Sequence, residues 1–164
     1  MLSLGAYGTL TQPSTLDLKG ADMSETEPSI IDHSAEKAHI WLKEIAQELG
    51  DEDRVYAYRA MRAVLHTLRD RLTVEVAAKL AAQLPTLIRG IYYEDWVPSR
   101  TPLAIHDVEA FLDRVAAEGR MAGETEASLA VTAVTRVLRT HVSPGEIDDV
   151  LAVLPDKFRV LIET

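Results

Sequence analysis

Apolar side chains along residues 35–96 recur at spacings of three and four, interrupted by turn formers, and this pattern predicts a series of helices. Ala38, Trp41, Leu42, Ile45 and Leu49 share one face of a first helix, which Gly50 stops. Asp51, Glu52 and Asp53 place negative charge where the dipole of a second helix favours it, and that helix turns Ala57, Met61, Val64, Leu65 and Leu68 inward. Thr73 caps a third, with Ala77, Leu80, Ala81 and Leu84 inward. Pro85 breaks it, because proline has no amide to donate and clashes with the preceding turn. A short fourth helix carries Leu87, Ile88 and Ile91. Residues 1–34 show no sustained period. They are rich in Gly, Ser, Thr and Pro, turn acidic from Asp22, and read as a disordered N-terminal tail. Met23 opens a second plausible start, which makes residues 1–22 an upstream extension with no structural role.

Sliding the chain against itself by 70 residues lays Trp41–Glu94 over Phe111–Thr164 without a gap, and 13 of 54 positions are identical. Chance predicts roughly four from ordinary composition. The identities include Ala57/Ala127, Val64/Val134, Leu68/Leu138, Arg69/Arg139, Leu84/Leu154 and Pro85/Pro155, most of them on inner faces or at the Leu-Pro break. Ser143-Pro144-Gly145-Glu146 reads as a capping box over the position of Thr73. The expected fold is therefore all-α, a tandem duplication of a four-helix unit forming a pseudo-twofold helical bundle. The first repeat covers residues 35–96 and the second 105–164. Pro98 and Pro102 make residues 97–104 a short extended connector. Helix bounds in the two halves should agree to within one or two residues.

Two stretches, AVLHTLRDRL (Ala63–Leu72) and QLPTLIRGIYYEDW (Gln83–Trp96) followed by VPSRTP, resemble a bacterial family known as domain of unknown function 2267. The resemblance runs from about Ala38 to the C-terminus and is most specific in the Leu-Pro, Arg-Gly, Tyr-Tyr and Trp run. It implies an all-helical fold and a bacterial cytoplasmic setting, and it carries no catalytic residue across. The second half departs from the motif, with Val160 and Ile162 standing over Gly90 and Tyr92.

Composition narrows the function. Aromatics at 5% and abundant Ala, Val and Leu favour closely packed helices over a β-sandwich. A net charge of −9 repels phosphate backbones, so a nucleic-acid partner is not expected. No apolar run approaches the roughly 20 residues of a membrane helix, and no secretory start is present, so the expected setting is cytoplasmic with no membrane partner. The absence of cysteine excludes disulfides, thiolate metal sites and Cys nucleophiles. The five histidines have no metal-ligand spacing, and no phosphate loop, dinucleotide fingerprint or nucleophile elbow occurs. The sequence thus designates no catalytic residue, no metal and no cofactor.

Two constellations remain. Arg59, Arg62, His66 and Arg69 advance by three, four and three along the second helix. Facing Arg136 and Arg139 of the other half, they could bind a carboxylate or phosphate, or they could pair with nearby acids on a solvated face. Arg69 and Arg139 lie near helix C-termini, where a cation can instead cap free carbonyls. Tyr92, Tyr93 and Trp96, with Arg89, form an aromatic cluster suited to a ligand slot, a partner surface, or a plug between the halves. The ligand-binding candidates are thus Arg62, His66, Arg69, Arg89, Tyr92, Tyr93, Trp96 and Arg139. The expected function is a non-enzymatic interaction or regulatory module with a protein partner. The alternative is a protein or enzyme that binds a small anionic ligand in a pocket between the repeats.

Overall fold

A computed structural model describes residues 29–163 and has eight α-helices among them. They are α1 (Ile30–Leu49), α2 (Arg54–Arg71), α3 (Val74–Gln83), α4 (Thr86–Tyr93), α5 (Val108–Gly119), α6 (Glu124–His141), α7 (Pro144–Val153) and α8 (Asp156–Glu163). No strand occurs among the described residues. The expectations for residues 1–28, including the upstream extension, fall outside them.

α1 begins at Ile30, five residues before the hydrophobic period becomes visible. Its first turn points Ile30 and Ile31 to solvent, so apolar periodicity cannot mark it. Capping sets the start: the Ser29 amide donates to Asp32 Oδ2 at 3.1 Å and the Asp32 amide to Ser29 Oγ at 3.2 Å. Asp53 caps α2 by accepting from the amides of Val55 and Tyr56, and Thr73 caps α3 by accepting from Val76. The capping box expected at Ser143 does not form. Pro144 takes the first position of α7, and Ser143 accepts the Glu146 and Ile147 amides through its carbonyl while its side chain makes no cap bond.

α1 ends in a left-handed Gly50 (φ 69°), where the Gly50 and Asp51 amides donate back to Gln47 and Ala46. The end of α5 has the same geometry with Arg120 at φ 52°, a conformation glycine adopts without strain and arginine does not. Gly119, one residue earlier, marks close packing. A Cβ there would lie 2.6 Å from Met121 Cε and 3.3 Å from Ala63 Cβ on α2.

The core is arranged around α2 and α6, which pack on each other. Ala57, Ala60 and Ala63 on α2 and Ala127, Ala130 and Ala133 on α6 are all buried, and these small side chains let the two backbones approach. α1 packs on α2 and also on α6; α5 packs on α6 and also on α2. α4 and α8 lie on α2 and α6 respectively, and α3 meets α7. Val64, Leu68, Leu84, Val134, Leu138 and Leu154, expected inside, are all buried. Leu87 is not: it is 42% exposed, because short α4 turns Ile88 and Tyr92 inward, four residues apart.

The link from α4 to α5 is not simply extended. Pro98–Arg100 form a turn of 3-10 helix, and the Thr101–Pro102 peptide is cis. The link is held to the end of α2, where the Leu103 amide donates to Asp70 O at 2.7 Å and Arg71 Nε to Ile105 O at 2.7 Å.

Candidate functional site

The α2 stripe faces inward, and its charges are answered within the chain. Arg62 Nε donates to Glu94 Oε2 at 3.0 Å and Nη1 to Glu118 Oε1 on α5 at 3.1 Å, with Asp95 at 3.8 Å. The Glu94 hydrogen bond, chiefly, holds the Arg62 guanidinium above its ordinary pKa. One turn on, His66 is buried at 3% exposure. Its Nε2 lies 2.6 Å from Ile91 O, which can only accept, so that nitrogen carries a proton. Its Nδ1 lies 2.5 Å from Glu118 Oε1. Glu118 therefore bridges Arg62 and His66, fastening α5 to α2.

Arg69 is buried as deeply. Its guanidinium donates to Tyr92 O, to Glu94 O at 2.9 Å and to Asp70 Oδ1 at 2.8 Å. Asp70 also accepts from Arg114 of α5 at 3.0 Å. Arg139 is exposed and donates to Ile162 O at 3.4 Å. Both arginines thus reach last-turn carbonyls, but those of α4 and α8 rather than of the helices that carry them. Arg69 cannot turn into an open groove without leaving these carbonyls unpaired. Arg59 lies over the Tyr56 ring at 5.4 Å. Burial and a hydrogen bond to Glu126 push the Tyr56 hydroxyl up to about 12.

The aromatic cluster divides. Tyr92 is fully buried, and its hydroxyl donates to Ala77 O at 2.9 Å. Burial pushes that hydroxyl up as well. Tyr93 is partly exposed and stacks on half-buried Trp96, with centroids 5.3 Å apart. Arg89 turns away from the aromatics and donates to Ala81 O, Ala82 O and Leu84 O, closing the end of α3. The eight candidates therefore do not converge on one concave site. Arg62, His66, Arg69 and Tyr92 form a buried seam, Tyr93 and Trp96 a surface stack, and Arg89 and Arg139 separate caps.

The periodicity did not reveal Glu118, although a signal existed. Glu48/Glu118 is the only acidic identity in the 70-residue register. Glu48 accepts from Arg136 at 3.1 Å, and Arg136 stands 70 residues beyond His66. A cleft of about 280 Å3 between α2, the link and α5 is lined by Asp70, Asp95, Val97, Arg100, Leu103 and Arg114. Among the described residues no group of three His, Cys, Asp or Glu side chains is placed to hold a metal ion, and no helix is long and apolar enough to cross a membrane.

Fold and seam define an all-α protein in which a line of buried cations ties helices from both halves together. Residues 38–161 match the family described as Uncharacterized conserved protein (DUF2267), and the chain belongs to that family. Comparison with the curated proteins finds no match.

Proposed function

We propose that this chain is a non-enzymatic interaction or regulatory module, made by duplication of a four-helix unit into a pseudo-twofold bundle. The units are residues 35–96, extended at their start by the first turns of α1, and residues 105–164, joined by 97–104. Three observations support the duplication. The bounds of α6, α7 and α8 fall 70 residues beyond those of α2, α3 and α4. The packing is reciprocal, α1 on α6 and α5 on α2. The ion pairs are reciprocal too, Glu118 with His66 and Glu48 with Arg136.

One observation carries the functional reading: Arg62, His66 and Arg69, the groups best suited to take a ligand, are bonded to carboxylates and carbonyls of the chain itself. They brace a rigid body whose outer surface is left to meet a partner. The mixed-charge cleft at Asp70, Asp95, Arg100 and Arg114 favours the second reading, a small anionic ligand held between the units.

A thermal-shift screen of the full chain against anionic metabolites and inorganic phosphate separates the two. A ligand that binds only the folded state must raise the melting temperature, by an amount set by its concentration relative to Kd. The module reading predicts no saturable rise. A saturable rise that disappears in Arg100→Gln would replace it with the second reading.

A further inference from the structure

A groove lies along α1, on a face the buried seam does not use. Ile30, His33, Lys37 and Ile40 form one wall at successive spacings of three and four. The corner between α3 and α4, with Gln83 and Pro85, forms the other, and Arg89 stands beside it. His141, at the end of α6, bounds the far end. Two clefts of about 540 and 310 Å3 share Lys37, Gln83 and Pro85 and so merge. From Ile30 to Trp41 the groove follows about 16 Å of helix, roughly three turns.

Its chemistry is one-sided. Every ionisable side chain lining it is basic, on a chain whose net charge is −9. His33 has Glu36 at 3.9 Å and His141 has Glu44 at 2.5 Å. Lys37 and Arg89 have no carboxylate partner among the described residues; the Arg89 donors go to neutral carbonyls, which leave its charge uncompensated. Between these cations Ile30 and Ile40 are 86% and 44% exposed. The lining elements are helices with internally bonded backbones, so no strand edge is available for pairing and recognition falls to side chains.

We propose that this groove docks an acidic amphipathic helix of a partner protein, with its apolar face on Ile30 and Ile40 and its carboxylates on Lys37 and Arg89. The proposal rests on the interaction-module reading and names the face and the partner's chemistry. The probe is a fluorescein-labelled synthetic helix with Leu at spacings of three and four and Glu on its flanks, titrated with the full chain by fluorescence anisotropy. The expected result is saturable binding that weakens as salt is raised and that the same helix with Lys for Glu does not show. Lys37→Glu should weaken binding roughly tenfold, as removing one close charge pair and adding a repulsion predicts. Ile40→Ser should weaken it several-fold. Both positions are exposed, so an unchanged melting temperature certifies the fold of each variant.

Equal affinity in Lys37→Glu, or equal binding of the Lys helix, overturns the proposal. So does binding that is lost in Tyr93→Ala but kept in Lys37→Glu; that result leaves the module reading standing on another face. Two further results give the groove to another occupant and also overturn it. One is self-association abolished by Lys37→Glu, which assigns it to a second copy. The other is probe binding that emerges only when residues 1–28 are removed, which assigns it to the chain's own N-terminal segment. Failure of the module reading itself registers in the anion screen rather than in this titration.

Discussion

Replacing Arg69 by alanine should destabilise the fold by about 3–5 kcal/mol, the cost of breaking a buried charge pair from one side. The guanidinium is buried and serves three acceptors at once: Asp70, and the last-turn carbonyls of Tyr92 and Glu94. Its removal leaves those carbonyls without their donor and Asp70 with only Arg114. Lysine should rescue little, since a single ammonium on a flexible stem does not span the fork. Arg139→Ala should cost under about 1 kcal/mol, because that side chain is exposed and its one printed bond, at 3.4 Å, is long. Urea midpoints at unchanged slope would measure both. Equal losses at the two sites would mean that solvent screening, rather than burial, sets the role of these arginines.

Leu68→Ala and Leu138→Ala should each cost about 2–5 kcal/mol, the range for emptying a filled core position. Leu68 is 3% exposed and Leu138 2%, at matching places on the two central helices. Both helices are lined with buried alanines that already sit close, so neither site can collapse far into the space left behind. A loss below about 1 kcal/mol at either would be that of a surface change, and would mean the inward face of that helix has been assigned wrongly.

These two cases mark what a single sequence can convey. Apolar period three to four fixed the inward side chains of α2 and α3, since a helix buried on one side advertises that side in its residue types. It failed at Leu87, where a helix of two turns offers too few positions to resolve a face. It also failed at Ile30, where a polar cap rather than an apolar stripe begins the helix. The stripe of Arg62, His66 and Arg69 was placed correctly on one face of α2, but periodicity is silent on what covers a face. The covering groups are backbone carbonyls at the end of α4 and a carboxylate from α5, and carbonyls leave no mark in a sequence. Glu118 left one, as an acidic identity amid apolar ones. A charge held at equivalent buried seams needs a partner at both, which Arg136 and His66 supply.

The reciprocal packing carries a further consequence. With α1 on α6 and α5 on α2, neither half holds its core without the other. Native-state hydrogen exchange of the Leu68→Ala variant tests this most directly, because it reads the opening free energy of each helix separately. The account predicts that slow amides of α6 lose as much protection as those of α2, although the cavity lies in the first half alone. Loss confined to α2–α4, with α6–α8 keeping wild-type protection, would contradict it and show two units that fold side by side.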